Sequence, residues 1–380
     1  MESGIDETFQ RYEKKLPKLI EKISKTMINS KCTTSFFKHD LQKARLQKGL
    51  CPVKACSPPL SKIPFHKYNI PFCPEHGIRI HKNTFVYYNG SSKEEQILAT
   101  RRNLMFHSDY YIDNFFKKKS SKAESERLCY ENSEDAVSYN IFTELLAKDK
   151  LNKLVELIAD RHINEDIELY LWGGKIDLKN NKFSLCEPLL KVREHLESGI
   201  KYYKTEPDII LIVPKKLIIC FEAKFGSKNP IAEDKEVKPG EKPKKREELI
   251  ERYCVSNKII DADEIFNLDK NTSVFYEQLF RNLVFASSMA ELEDKIDWEV
   301  VNLRSQYVLD LNEDKQDTAS VVENVRSYLK PEHRKRFKHL TWEEIYRKVV
   351  KKDPELSSLA WYMENKSLSC GKAFNILQYG

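Results

Sequence analysis

Two short apolar runs lie in the middle of the chain, and each is bounded by charged residues. Residues 209–213 read IILIV and residues 217–223 read LIICFEA, with Pro214, Lys215 and Lys216 between them. Continuous apolar runs of this length are typical of strands that are buried on both faces. Because Pro214 cannot adopt the positive φ of a two-residue primed turn, we predict an antiparallel hairpin with a loop of three or more residues.

The register of this hairpin decides which side chains meet at its open end. A three-residue loop pairs Val213 with Leu217 and places Asp208 opposite Glu222. Since side chains alternate along a strand, Glu222 and Lys224 point to one face. Two carboxylates this close repel each other unless a cation lies between them, and oxygen ligands with water suit Mg²⁺ or Mn²⁺.

Such an ion can polarise a phosphodiester and lower the pKa of a bound water. Asp208 and Glu222 are therefore the predicted metal ligands, and Lys224 is predicted to orient the water or to offset charge on the phosphate. The alternative is an exposed hairpin end with solvated charges. Charged side chains are rarely buried unless they are paired or functional, which favours the site.

Pro207-Asp208 and Glu222-Ala223-Lys224 resemble the two halves of the motif of the PD-(D/E)XK nuclease superfamily. The resemblance implies an α/β, restriction-endonuclease-like fold with a mixed central sheet flanked by helices. It also implies magnesium-dependent cleavage of DNA, and a role in prokaryotic restriction or anti-phage defence. Many such nucleases cut both strands as dimers, so a homodimer is an open possibility, although no dimer interface can be read from the sequence.

A helix is predicted after Ser133, a good N-cap residue that is followed by acids in the first turn, where they favour the helix dipole. In the superfamily, the helix that precedes the catalytic sheet commonly carries a glutamate that completes the metal site. Glu134 is the candidate on this resemblance, and Glu144 is the second choice. The alternative is that Glu134 serves only the helix dipole.

A second helix is predicted from Tyr276 to Ala286, with an apolar stripe on one face. Gln278, Arg281 and Asn282 lie three and four residues apart and so share another face. Similar superfamily members carry a Tyr-x-Gln-x-x-Arg helix after the lysine, which implies that Gln278 supports the active site. Arg281 either holds the scissile phosphate or pairs with a carboxylate.

The spacing of cysteines and histidines near the N-terminus predicts a separate metal site. Cys51 and Cys56 form a C-x4-C pair, and Cys73 and His76 form a C-x2-H pair sixteen residues later, each beside turn-forming residues. Two close pairs on tight turns are what a structural tetrahedral zinc site requires. The alternatives are that Cys51 and Cys56 are small residues of a loop-rich segment, or that the fourth ligand is one of His81, His66 and Cys32.

The remaining segments suggest how the chain is divided. Residues 1–50 look helical and basic, and residues 117–126 are polar without apolar periodicity, as in a linker. We therefore expect a helical, zinc-binding region at 1–126 that can contribute to DNA recognition, and a nuclease domain at 127–380. Residues 226–248 have the composition of a flexible insertion. Strands are expected at 166–174 and 299–311, and closing helices after a Thr341 cap.

Composition narrows the function further. The chain has 64 basic and 58 acidic residues, a mild excess that permits nucleic-acid binding. No apolar run is long enough to cross a membrane and the first residues do not resemble a signal peptide, so we expect a cytoplasmic protein. No phosphate-binding glycine loop is present, which argues against an NTP-driven motor. A non-catalytic nucleic-acid-binding protein and an RNA-processing nuclease remain alternatives, since RNA is not excluded as the substrate.

Overall fold

A computed structural model describes much of the chain. The described residues are 45, 48–53, 56–65, 68–80, 85–86, 92–117, 126–200, 204–230, 252–253, 258–261, 275–306 and 318–366. Among these residues no helix combines the length and the apolar character that crossing a membrane needs.

The first described region is a small antiparallel sheet. Its strands are β1 (Ser61–Phe65), β2 (Tyr68–Cys73), β3 (Ile78–Ile80) and β4 (Phe85–Val86), and they neighbour one another in chain order. Gly77 adopts a positive φ of 63° in the turn between β2 and β3. A residue without a Cβ tolerates this conformation readily, which is why the turn can follow Cys73 so tightly.

A helical connection leads from the small sheet to the large one. Helices α1 (Lys93–Asn103) and α2 (Ser108–Tyr111) are followed by a π-helical turn at Ile112–Phe116 and a 3-10 turn at Glu126–Cys129. The small sheet is joined to this connection by a bridge between Val86 and Tyr130.

The large sheet has six strands in the order β10-β9-β8-β7-β5-β6. Strands β8, β9 and β10 are parallel, and the other neighbours are antiparallel. The carboxyl ends of β8, β9 and β10 therefore meet at one edge, together with the amino end of β7. The strands are β5 (Glu168–Leu171), β6 (Gly174–Lys175), β7 (Ile209–Val213), β8 (Leu217–Ala223), β9 (Asp297–Arg304) and β10 (Phe337–Thr341).

Both faces of this sheet are covered, because the central strands are apolar on both sides. Ile209, Leu211 and Phe221 belong to one hydrophobic cluster, whereas Ile210 and Cys220 belong to a second cluster on the other face. This alternation is the period-two pattern of a strand that is buried between two layers.

Helices supply the two outer layers. The first cluster includes residues of α3, α4 and the carboxyl-terminal helices α8 and α9, and the second includes residues of α5, α6 and α7. Helix α6 connects β8 to β9, as a parallel pair requires a crossover. These helices are α3 (Glu134–Ala147), α4 (Leu151–Ala159), α5 (Glu187–Leu196), α6 (Glu277–Leu292), α7 (Thr318–Ser327), α8 (Trp342–Ile345) and α9 (Ser357–Asn365).

Several local predictions agree with the structure. Val213 pairs with Leu217 across the three-residue loop, as the predicted register requires. Ser133 caps α3 by accepting a hydrogen bond from the backbone N–H of Ala136 at 3.2 Å. Thr341 and Glu344 form a reciprocal capping box at the start of α8, and the helix expected at 276–286 is α6.

Two strand predictions differ in their bounds. The strand expected at 166–174 is a pair of strands, β5 and β6, with a turn at Trp172 and Gly173 where both residues have a positive φ. The strand expected at 299–311 is β9, which begins at Asp297 and ends at Arg304.

Strand β10 is a difference from the sequence analysis, which did not predict it. Residues 337–341 alternate only partly, and the strand forms because β9 offers a free parallel edge. The helical connection between the two sheets is a second difference, because it was expected to belong to the N-terminal region. Its residues Leu104 and Phe115 pack in the same hydrophobic cluster as the large sheet. A boundary at residue 126 therefore stays a prediction, and this packing favours an earlier one.

Several predictions fall outside the described residues. These are the basic helix of residues 1–44, most of the linker at 118–125, the insertion from residue 231 onward, and the alternative zinc ligands Cys32, His66 and His81.

Candidate active site and metal centre

The open end of the β7–β8 hairpin carries two carboxylates and an ammonium group, as the register predicts. Asp208 precedes β7 and its backbone N–H donates to the carbonyl of Phe221 at 3.1 Å, which continues the ladder. The Asp208 carboxylate accepts a hydrogen bond from the backbone N–H of Ala223 at 2.9 Å. Asp208 thus lies across from the Glu222-Ala223-Lys224 segment and is held against its backbone.

Glu222 is almost fully buried and each of its carboxylate oxygens has a partner. Lys224 Nζ donates to Oε1 at 2.6 Å, and Asn282 Nδ2 donates to Oε2 at 3.0 Å. The first contact is charge-assisted, and the second comes from helix α6, which crosses this face of the sheet. Glu222 is therefore fixed in orientation from two directions.

The pKa of Asp208 lies well above its usual range. Burial is the main cause and the nearby Glu222 carboxylate adds to it, while Lys224 and the hydrogen bond from Ala223 act in the opposite direction. A proton or a cation therefore stabilises this pair of acids, because two negative charges in a partly buried space repel each other.

Lys224 lies at the centre of the acids. Burial alone would lower its pKa, but the charges of Glu222, Asp208 and Glu134 raise the pKa above the ordinary lysine value. Its backbone is also fixed, since its N–H donates to Leu303 at 2.8 Å and its carbonyl accepts from Trp342 Nε1 at 3.1 Å. The ammonium group is thus permanently charged and precisely placed.

Glu134 reaches the same end of the sheet from the start of α3. Its Oε2 atom accepts hydrogen bonds from the Phe225 backbone N–H and from Ser227 Oγ, both at 2.7 Å. Beside it lies a cavity of about 430 Å³ that is lined by residues 226–227 and by the segment from Arg127 to Asp135. The cavity gives solvent and ligands a route to the Glu134 carboxylate.

The other predicted residues are more distant or are engaged elsewhere. Glu144 contacts His107 at 3.3 Å and lies at the far end of α3, about 15 Å along the helix from Glu134. Arg281 forms an ion pair with Glu277 at 3.2 Å. Gln278 is half-buried one turn before Asn282, and no hydrogen bond joins it to Lys224 in the described part of the chain.

The three acids are chemically suited to a hard divalent cation, since they offer carboxylate oxygens, and Glu134 lines the cavity beside them. Within the described residues their oxygens do not form a group as tight as 4.8 Å, because each carboxylate is held by protein donors. A cation bound here would replace some of these hydrogen-bond donors as the partner of the carboxylates.

A second candidate metal site lies beside the small sheet. The ligand atoms of Cys51, Cys56, Cys73 and His76 all lie within 4.8 Å of one another, and all four residues are buried. Cys73 Sγ is 3.7 Å from Cys56 Sγ and 3.4 Å from His76 Nδ1. This Cys3His cluster, formed by those four residues, can hold a metal such as zinc, as the spacing predicts.

The protonation of the cluster fits a metal centre. A hydrogen bond from Cys51 is the main cause that lowers the pKa of Cys73 to about 4, and burial raises the pKa of Cys56 to about 11. One thiolate thus shares its charge with neighbouring thiols, and a cation would replace their protons. Arg45 fixes the first turn by donating to the carbonyls of Cys51 at 2.8 Å and Cys56 at 2.5 Å.

Sequence reasoning missed several polar residues around the carboxylate end. Asn282 was placed on the correct helix face, but its contact with Glu222 was not foreseen. Asn302 and Arg304 on β9 were read only as part of a strand, although both are almost fully buried. A signal was present, since polar residues in an otherwise apolar buried strand are uncommon.

A mixed sheet between two helical layers, with acids and a lysine at the meeting point of its strand ends, is consistent with a restriction-endonuclease-like fold. The family model described as "Restriction Endonuclease associating with ARP" matches residues 74–366, and the chain belongs to this family. The family implies DNA as the substrate or partner. Comparisons with curated proteins and with solved structures give no match.

Proposed function

We propose that the protein is a magnesium-dependent DNA endonuclease with a PD-(D/E)XK active site. The observation that carries the proposal is the hairpin end, where Asp208 lies across from Glu222 and Lys224 lies among the acids. Membership of a restriction-endonuclease family supports the same reading.

In this proposal Asp208 and Glu222 are the metal ligands and Glu134 assists them from α3. When bound, Mg²⁺ or Mn²⁺ would polarise the phosphodiester and lower the pKa of a coordinated water. Lys224 orients the attacking water or offsets negative charge on the phosphate, because its ammonium group is held by Glu222 and stays charged beside Asp208 and Glu134.

Helix α6 supports the site. Asn282 fixes the orientation of Glu222 through its hydrogen bond at 3.0 Å. Gln278, on the same face, is proposed to support Lys224 once substrate or metal rearranges the site. Arg281 is proposed to contact the phosphate backbone, and its partner Glu277 is then released.

The Cys3His cluster is proposed to be a structural zinc site, and the region up to residue 126 to contribute to DNA recognition. The family match begins at residue 74, so it includes His76 and the rest of this region up to residue 126, whereas Cys51, Cys56 and Cys73 precede it. We further propose a cytoplasmic role in prokaryotic restriction or anti-phage defence, in association with ARP as the family description states. A homodimer would allow both strands to be cut.

The test is incubation of the purified protein with plasmid DNA and Mg²⁺ beside Asp208→Ala and Lys224→Ala. A matched control is Glu187→Ala, which removes an exposed carboxylate paired with Lys191 on α5. We expect nicking or linearisation by the wild type and by Glu187→Ala, and loss of at least about 100-fold in rate for the other two.

Matched RNA and DNA oligonucleotides, duplex and single-stranded, separate the alternatives. Cleavage of RNA alone would replace the DNA assignment with an RNA-processing nuclease. DNA binding that is unaffected by Asp208→Ala, with no cleavage under Mg²⁺ or Mn²⁺, would favour a non-catalytic binding protein.

A further inference from the structure

Arg304 is a fully buried cation at the end of β9, with a relative exposure of 1%. Among the described residues no acceptor lies within hydrogen-bonding distance of its Nε, Nη1 or Nη2 atoms. An arginine side chain offers five donors and stays protonated in proteins, so it cannot escape this situation by losing its charge. The guanidinium is thus a buried charge without a direct partner in the described part of the chain.

The surroundings of Arg304 only partly compensate this charge. Burial lowers its pKa, and the charges of Tyr276 and Glu134 oppose that effect. Glu134 does not approach closely enough to form an ion pair, and its Oε2 atom is already occupied by Phe225 and Ser227. A buried charge that lacks a hydrogen-bonded counter-ion is costly, which indicates that an anion belongs beside it.

The sheet register places Arg304 next to the proposed catalytic lysine. Ala223 pairs with Leu303, so the positions that follow, Lys224 and Arg304, are neighbours on adjacent parallel strands. Leu303 contributes to the cluster on one face of the sheet, and Arg304 therefore points to the other face, which Glu222 also shares. Two permanent positive charges thus lie side by side at the strand ends.

Further unused donors lie on this face. His339 on β10 pairs with Asn302 on β9, and Asn302 in turn pairs with Glu222 on β8, so the three form one row across the sheet. Both ring nitrogens of His339 and the Nδ2 atom of Asn302 are buried, and no described residue forms a hydrogen bond with them. Burial, helped by Arg304, lowers the pKa of His339 to about 4, so its neutral ring can offer one N–H near pH 7.

We propose that Arg304, with His339 and Asn302 beside it, forms a subsite that binds a phosphate of the nucleic-acid backbone next to the Asp208–Glu222–Lys224 site. This inference rests on the proposed function. The planar fork of a guanidinium matches two oxygens of a phosphate, and the neighbouring N–H groups match a third. If Glu134 holds a metal ion, its charge no longer compensates Arg304, and the phosphate takes its place.

The guanidinium is closed to solvent in the free protein, so the groups above it must move apart when the substrate binds. The unpaired charge raises the free energy of the closed state and thereby favours this opening. The stability of a variant distinguishes a binding role of Arg304 from a structural one. Removal of an arginine that holds the fold together lowers stability, whereas removal of an unpaired buried charge does not.

The test measures binding of a duplex DNA oligonucleotide across a range of salt concentrations, in an Asp208→Asn background that does not cleave. Arg304→Met is compared with Arg161→Met, which removes the same charge from an arginine paired with Asp297 at the opposite end of β9. For Arg304→Met we expect an unchanged or higher Tm and an affinity about 10- to 100-fold weaker. The salt dependence should become shallower by about one unit of slope.

Arg161→Met should change neither affinity nor slope. If Arg304→Met does not fold, Arg304→Lys decides, because it keeps the charge and loses the fork. An affinity about 10-fold weaker with an unchanged slope supports the subsite, and wild-type affinity overturns it. Wild-type binding by a folded Arg304→Met also overturns it.

The two proposals fail in distinguishable ways. Cleavage by the wild type together with unimpaired binding by Arg304→Met would leave the nuclease intact and remove the subsite. Loss of binding in Arg304→Met without any cleavage by the wild type would keep the phosphate subsite and remove the nuclease.

Discussion

The two candidate metal centres of this protein are organised in opposite ways. In the Cys3His cluster the four ligand atoms already lie within 4.8 Å of one another. At the hairpin end, Glu222, Asp208 and Glu134 are instead held by Lys224, Asn282 and backbone N–H groups. The difference follows from charge, because thiols are neutral when protonated and can gather, whereas carboxylates repel one another.

Because of this contrast, we expect the two sites to respond differently to a cation. The cysteine cluster could bind one with its four ligand atoms already close together, and a structural metal there would contribute to the stability of the small sheet. At the carboxylate end, Lys224 and Asn282 already hold Glu222, so this end is folded before a metal binds. We therefore expect metal loss to unfold the small sheet and to leave the large sheet intact.

The largest effect is expected for Cys73→Ala. Cys73 contacts two other members of the cluster, and structural zinc sites contribute about 10–16 kcal/mol of apparent binding free energy. We expect loss of bound zinc, measured by elemental analysis of the purified protein, and proteolysis confined to the small sheet. Cys129→Ala is the control, since Cys129 is buried outside the cluster. Full zinc content in Cys73→Ala would contradict the assignment.

A partly buried acid on the same sheet should behave differently from the site acids. Glu299, on β9, has a pKa raised to about 7, chiefly by burial, and Lys338 lies 3.8 Å away. Since the folded state holds this proton more tightly than the unfolded state, stability falls as pH rises from about 4.5 to about 7. We expect Glu299→Gln to raise the free energy of unfolding by up to about 3 kcal/mol at pH 8.

At pH 4 the same substitution should have little effect, because Glu299 is then protonated in both states. Chemical denaturation at the two pH values measures the difference. An equal change in the free energy of unfolding at both pH values would show that burial does not set the pKa of this carboxyl group.

The support of Glu222 by helix α6 is tested by Asn282→Ala. This variant removes the hydrogen bond to Oε2, and hydrogen bonds to charged groups contribute about 1.5–3 kcal/mol. We expect cleavage to be about 10-fold slower or more, with DNA affinity nearly unchanged. Gln278→Ala is the matched comparison from the preceding turn. A loss for Gln278→Ala at least as large as that for Asn282→Ala would support the role that the superfamily resemblance assigns to Gln278.

The smallest effect is expected for Trp342→Phe. The indole N–H donates to the Lys224 carbonyl at 3.1 Å, and a neutral hydrogen bond contributes about 1 kcal/mol. The aromatic contact with Phe142 can persist in the variant. We expect a decrease of about 1 kcal/mol in the free energy of unfolding and a small decrease in cleavage rate. A loss of rate as large as that of Lys224→Ala would mean that Trp342 positions the lysine directly.

Local sequence patterns predicted the parts of the site that depend on neighbouring residues. The hairpin register followed from the length of the Pro214 loop, and the start of α3 followed from the Ser133 cap. The C-x4-C and C-x2-H pairs predicted the Cys3His cluster, because each pair converges on its own turn. These features need only short stretches of chain, so their physics is visible in the sequence.

Other features depend on which distant segments pack together. The sequence showed that α6 has a polar face, but the rotation of the helix over the sheet selected Asn282 to contact Glu222. It showed a strand at β9, but only the parallel pairing with β8 and β10 placed Arg304 beside Lys224. The packing of residues 104–116 against the large sheet was likewise invisible, because it depends on contacts far apart in the chain.

Strand alternation and tight turns fix geometry within a few residues, so the sequence alone predicted that Asp208, Glu222 and Lys224 lie at one end of the hairpin and that Cys51, Cys56, Cys73 and His76 come together. Only the packed molecule shows which helix side chains hold the acids, where Glu134 enters and that the Arg304 guanidinium is buried without a hydrogen-bond acceptor among the described residues. Those outcomes depend on long-range packing. Burial of the apolar faces sets the positions of the helices and strands, and these positions determine where the polar side chains lie.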